Sequence, residues 1–296
     1  LESVWTKVHQ AEGNMRTPMI AQIIGAIVNI ALDPLLIFGL CGLPKMGIGG
    51  AATATVVGQI AAALIVMKGG FRKIPALVVF PHQIKRIYKL GIPNILMQAA
   101  YTFYIFGLNL ILATFSDQAV TVLGLYYKWQ AFFFIPLGAM QTCIVPVVSY
   151  NYAAGKYERC KKTLMVAIIF GIALMMIGVV LFETIPGPML HVFSHDPKVI
   201  SIGEVAFRFI GISFIPLVSS LTFPVFFQAL GHAVKSSILT IIRTVFLFIP
   251  LAYLFSRFGL NYFWLTFPVT DSITTLAGYL FYRQFVKKTM PKTIME

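Results

Sequence analysis

The sequence predicts an all-α, polytopic transmembrane helical bundle of eight spans, and three observations carry that prediction. The chain of 296 residues is 58% hydrophobic and only 11% charged, whereas a water-soluble domain carries roughly 25% charged residues. Its apolar residues fall into runs of the length that crosses a bilayer as a helix, roughly 20 residues each. Its basic residues gather in the loops on one side of those runs, as the positive-inside rule requires.

In chain order the predicted spans are residues 17–39, 47–67, 90–114, 121–149, 164–185, 203–229, 236–256 and 260–284. Periodicity within them is uninformative, because a helix embedded in lipid and protein is apolar all round. The run LMVAIIFGIALMMIGVVLF also lacks the alternation of a transmembrane β-strand. With residues 1–16 on the cytoplasmic side, the inside loops collect 17 Lys and Arg, against Lys45, Lys198 and Arg257 outside. That asymmetry orients a multi-pass protein of the plasma membrane, the bacterial inner membrane, with its C-terminus cytoplasmic. The net charge of +13 reports these loops, and no nucleic-acid partner is expected.

The inside loop at 68–89 carries two prolines and an amphipathic second half, and reads as a linker lying at the membrane surface. The expected organisation is therefore two helices (1–67), a cytoplasmic linker (68–89) and a six-helix bundle (90–296). A faint repeat joins the first and last hairpins: Gly47 and Gln59 recur as Gly259 and Asp271, 212 residues on.

Asn29 and Asp33, four residues apart, share one face of the first span. Asp33 lies roughly 9 Å and Thr55 roughly 12 Å from the outer ends of their helices at the helical rise. The antiparallel hairpin lets these groups meet. A carboxylate within a bilayer costs about 2.5–3.5 kcal/mol or more unless something neutralises it. Pro34 leaves the carbonyl of Ile30 without its helical donor. Carboxylate, amide, hydroxyl and free carbonyl together suit a hard cation such as Na⁺, or a protonation switch; the alternative is a hydrated helix end.

Arg243, Asp271, Arg208 and Lys128 are charges within other spans that either pair in the bundle or snorkel to the interface. Gln98, Asn109, Gln130, Gln141 and Gln228 either bond between helices or line a polar cavity. Phe132 to Phe134, and Phe226 with Phe227, either hold flat cations by cation–π contact or face lipid and core. Seven prolines interrupt the later spans, as in helices bent around a cavity. The candidate cavity wall is Gln98, Tyr101, Asn109, Gln141, Arg243 and Asp271.

Signals of an enzyme are missing. His191 and His195 stand four apart without the acid of a metalloprotease motif, and Asp196-Pro197 after them reads as a helix start. There is no phosphate-binding loop, nucleophile elbow or dinucleotide fingerprint. Cys41, Cys143 and Cys160 share no metal or disulfide spacing. No catalytic residue and no cofactor is expected, beyond a coupling ion, H⁺ or Na⁺.

Four stretches resemble the multidrug and toxic compound extrusion (MATE) family, in family order. TPMIAQIIGAIVNIALDPLLIFG followed by GIGGAATAT is similar to its fifth and sixth helices. VVSYNYAAGKYERCKKTL is similar to the end of the eighth and its loop, FFQALGHAVKSSILTIIRTVFLFIPL to the turn from the tenth to the eleventh, and FPVTD to a pattern in the twelfth. The resemblance implies helices five to twelve of a twelve-helix, two-lobed antiporter, that is, its C-terminal two-thirds, with 68–89 as the interlobe linker. It further implies a monomer that exports organic cations or other amphiphilic drugs by alternating access, driven by H⁺ or Na⁺. Asn29, Asp33 and Thr55 match a cation network of the family's N-lobe. The chain departs from the family pattern at Tyr101, where some members carry an acid, at Lys128 in place of Arg, and at Cys143 and Val145 before Pro146. Two other expectations remain beside this one: a flippase for lipid-linked oligosaccharides of the same superfamily, and a fragment without transport activity.

Overall fold

The computed structural model describes residues 2–42, 44–71 and 80–289, and every regular element among them is helical. The chain divides into two compact units, Leu1–Pro81 and His82–Glu296.

The first unit contains α1 (Glu2–Ala11), α2 (Arg16–Phe38) and α3 (Ile48–Met67). The polar lead before the first predicted span is thus itself a helix. It is anchored by Trp5, whose ring meets that of Phe71 at 5.5 Å, and by buried His9, whose Nε2 lies 3.0 Å from the carbonyl of Val66. The pairing of α2 with α3 follows from a stripe of small residues. Gly50, Ala54, Gly58 and Ala62 recur every fourth residue of α3 and are buried, facing buried Ala21 and Gly25 of α2. A Cβ placed on Gly58 would lie 2.7 Å from the carbonyl oxygen of Gly25. Lipid offers apolar helices no reason to associate, so close backbone approach supplies the attraction.

The second unit contains α4 (Phe80–Ala113), α5 (Asp117–Ala153), α6 (Tyr157–Thr184), α7 (Pro186–His191), α8 (Pro197–Ala229), α9 (Ala233–Ile241), a π-helical segment (Ile242–Phe248), α10 (Ile249–Ser256), α11 (Leu260–Phe263) and α12 (Thr266–Thr289). Helix α4 corrects the predicted linker. Residues 80–89 already form its first turns, because the amphipathic sequence FPHQIKRIYKLG carries a helical pattern into the apolar run. Residues 72–79 of that linker lie outside the described residues.

Helix α8 begins where Asp196-Pro197 predicts. The Asp196 side chain accepts from the backbone N–H of Lys198 at 2.9 Å, and Pro197 occupies the first turn, where its missing N–H costs nothing. This helix is the centre of the unit: it packs against α5, α6, α7, α9 and α12. Buried aromatics fill the seams, with Phe182 stacked on Phe207 at 4.6 Å and Phe214 tilted against Phe182 at 4.9 Å.

Seven of the predicted spans coincide with helices long and apolar enough to cross a membrane. The eighth, 260–284, is not among them. It is divided between α11 and α12, and α12 opens with Thr266, Thr270, Asp271, Ser272, Thr274 and Thr275. The repeated glycines do share a role. Gly47 (φ 55°) and Gly259 (φ 119°) each stand directly before a helix in backbone conformations that side chains disfavour.

Candidate functional site

Two polar loci stand among the helices, one in each unit. In the first unit, Asn29 of α2 donates from Nδ2 to Thr55 Oγ1 of α3 at 3.4 Å. The approach is close because Asn29 Cβ lies beside Gly58, where any side chain would collide with it. The Thr55 hydroxyl gives its proton to the carbonyl of Ala51 at 2.9 Å, so its oxygen keeps a lone pair. Asp33, one turn further along α2, is half-buried and has no hydrogen bond or ion pair among the described residues. Pro34 is accommodated inside α2, leaving the Ile30 carbonyl without its donor. The predicted trio is therefore partly assembled: Asn29 meets Thr55, and Asp33 stands adjacent without a partner. All the available groups are oxygens, the ligand type of a hard cation.

In the second unit, Asp271 of α12 is fully buried, and its Oδ1 accepts from Arg243 Nε at 2.7 Å and from Ser220 Oγ of α8 at 2.9 Å. Sequence reasoning selected both charges but not their partnership, since residues 28 positions apart carry no spacing signal. The guanidinium also lies over the ring of Phe248, 4.9 Å from its centroid. That contact depends on the π-helical turn. Five residues along an α-helix rotate a side chain roughly 140° away, whereas the i to i+5 closure of a π-helix returns it to nearly the same side. Tyr104 of α4 stacks behind Phe248 at 4.9 Å.

Arg243 forms one wall of a cavity of about 180 Å³. Gln98 and Tyr101 of α4, Gln141 of α5, Gln228 of α8 and Thr240 of α9 contribute other parts of that wall. Four of the six predicted cavity residues therefore come together: Gln98, Tyr101, Gln141 and Arg243. Asp271 is not on the wall; it lies behind Arg243. Asn109 is not there either, since it donates to the Ile105 carbonyl of its own helix at 2.9 Å.

For the two phenylalanine clusters the structure decides between the alternatives of cation binding and packing. Phe226 and Phe227 are fully buried in the core beside Phe285 and do not face the cavity. Phe132 is exposed and Phe133 is packed inside, so that triplet does not form a binding face. Lys128 and Arg208 are exposed as snorkelling predicts, Lys128 over the ring of Phe193 at 4.8 Å. Among the described residues no group of three or more metal-binding side chains occurs.

The chain is 24% identical over 278 residues to an FAD transporter of Shewanella oneidensis, covering 91% of this chain and 62% of the relative. It is 25% identical over 279 residues to the multidrug export protein MepA of Staphylococcus aureus, covering 92% of this chain and 60% of the relative. The chain thus spans about three-fifths of the length of these curated relatives. Its fold matches that of a multidrug-resistance MATE transporter of the MOP superfamily with a TM-score of 0.87 at 22% identity, over 98% of this chain and 67% of that one. The MatE family model matches residues 93–254, more than half of the sequence; together with the helices and polar loci described above, that match places the chain in the MatE family.

Proposed function

We propose that the chain serves a secondary active transporter, not an enzyme, which exports drugs or organic cations by alternating access in exchange for H⁺ or Na⁺. The observation that carries the proposal is Asp33, a carboxylate within an apolar helix with no partner of its own, one turn from the Asn29–Thr55 contact. A charge so placed is stabilised only when a cation or proton joins it. Binding there changes the conformational balance to the extent that affinity differs between the two states, and the bend at Pro34 is the adjacent element that can respond. The names of the relatives, a multidrug exporter and an FAD transporter, support a small-molecule cargo. The helices from α2 onward would correspond to helices five to twelve of the family, in a monomer of the bacterial plasma membrane with its C-terminus cytoplasmic. The flippase alternative asks for a strongly cationic cavity, whereas the charged wall residue Arg243 is balanced by Asp271.

The test is Asp33→Asn in the protein expressed from its native gene in a drug-sensitive host. Ethidium efflux driven by an imposed H⁺ or Na⁺ gradient should fall to the level of cells without the protein. Efflux at the unsubstituted rate would remove Asp33 from coupling.

A further inference from the structure

The cavity of the second unit has an unbalanced set of hydrogen-bonding groups. Arg243 is only 5% exposed and uses Nε alone on Asp271, while its terminal Nη1 and Nη2 have no partner among the described residues. Gln141 Nε2, on the same wall, is buried and also lacks a partner. The hydroxyl protons nearby are already committed: the one proton of Ser220 is shared between Asp271 Oδ1 and the Leu217 carbonyl, each at 2.9 Å, and that of Thr240 goes to the Ser236 carbonyl. Asp271 Oδ2 is a buried acceptor without a partner, but Asp271 is not on the wall; on the wall itself the buried atom left without a partner is the Gln141 donor, and Arg243 adds its unused Nη donors. The guanidinium that carries most of them is held in place, with Asp271 at its Nε edge and Phe248 against its face.

We propose that this cavity is a substrate subsite for a flat aromatic group bearing a carboxylate or carbonyl acceptor, received by the Arg243 fork and Gln141 and flanked by the ring of Tyr101. A fixed guanidinium presents two parallel N–H groups that match a planar acceptor. A cavity of about 180 Å³ takes one fused ring system at a time. Because Asp271 balances the charge of Arg243, the subsite accepts neutral carbonyls as well as carboxylates. It gives no advantage to a cation without an acceptor. The assignment rests on the transporter proposal and narrows its cargo to aromatic acids, zwitterions and carbonyl-bearing rings, rather than organic cations alone.

Binding of three probes with one ring system, 2-naphthoate, 2-naphthamide and 2-naphthyltrimethylammonium, tests it by equilibrium dialysis against the detergent-purified chain. Hydrogen bonds to a charged group predict that naphthoate and naphthamide bind about tenfold tighter than the ammonium probe. Arg243→Lys keeps a positive charge beside Asp271 but loses the fork. It should erase most of that preference and leave ammonium binding unchanged. Gln141→Leu leaves no charge unpaired, so it serves if the lysine variant does not fold, and should reduce the preference by about threefold. Equal affinity for the three probes, or no naphthoate binding, overturns the assignment, as does a preference that survives both substitutions. Probe selectivity needs no ion coupling, so it stands or falls separately from the Asp33 efflux test.

Discussion

Asp33 stands on an apolar helix and Asp271 in the hydroxyl-rich start of α12; the first is half-buried without a partner among the described residues, and the second is fully buried with its Oδ1 held by Arg243 and Ser220. The surrounding packing differs in the same sense. Around Asn29 and Asp33, two helices touch through glycine and alanine, and only 11% of the apolar window of α2 is buried. Around Asp271, 61% of the apolar window of α8 is buried and its neighbours are joined by phenylalanine and tyrosine rings. A carboxylate with a built-in counter-charge has no need of an external cation and instead ties three segments together. A carboxylate without one is stabilised only by something that can also leave. The difference separates an acid that joins segments through an internal counter-charge from one that fits the coupling role proposed above.

The largest effect should come from breaking the enclosed pair. Arg243→Ala leaves Asp271 buried with no counter-charge, a loss of about 3–5 kcal/mol, seen as a marked drop in melting temperature in detergent. Removing both charges with Arg243→Met and Asp271→Leu should restore most of that stability, because a well-packed apolar pair is about as stable as a buried ion pair. If the single variant melts like the parent protein, Asp271 is not the structural acid and the contrast fails.

Next in size is the small-residue seam of the first unit. Gly58→Leu drives a side chain into the backbone of Gly25 and into Asn29, at a cost of about 1–3 kcal/mol. The Asn29–Thr55 contact should separate with it. A cysteine pair placed across α2 and α3 would report this as lost crosslinking, and undiminished crosslinking would show that the glycines do not set the spacing.

Asn29→Ala should cost less, about 0.6 kcal/mol, the usual worth of a hydrogen bond between helices in a membrane. It should nevertheless weaken ion-driven efflux. Efflux unchanged in Asn29→Ala but abolished in Asp33→Asn would reduce the site to the carboxylate alone.

The smallest effect concerns His232, in the turn between α8 and α9. Burial lowers its pKa below the ordinary histidine value, and Lys235 lowers it further. The unfolded chain therefore binds this proton more readily than the folded one. Stability is lost as pH falls through the ordinary histidine range towards the lowered folded value, and levels off below it. Melting temperatures from about pH 7.5 to 5 should show a shallow decline in the parent protein that is missing in His232→Gln. An identical decline in both would assign the pH response elsewhere.

Much of the fold was legible in the sequence because lipid is an undemanding solvent to read. It requires long apolar runs, and α2, α3, α5, α6 and α8 lie close to where those runs predict. Where polar residues interrupt a run, legibility falls: the span at 260–284 became α11 and α12, and the linker at 68–89 lost its second half to α4. The small-residue stripe from Gly50 to Ala62 was present to be read, since a four-residue recurrence is a sequence pattern. The pair Asn29–Thr55 was legible for a similar reason, since a hairpin brings residues at matched depth together.

Composition and segment length alone determined that this chain is helical and adapted to a membrane; local spacing selected Asn29 and Asp33, and matched depth in a hairpin added Thr55. Only the tertiary structure decided that Arg243 pairs with Asp271, that Phe226 and Phe227 are core, and that Gln98, Tyr101 and Gln141 share one wall. The physical reason is range. Hydropathy and helical phase are properties of neighbouring residues, whereas an ion pair between α12 and a π-helical turn depends on how far each helix is rotated about its own axis. That rotation is set by packing against α8, which the residues of a single segment do not encode.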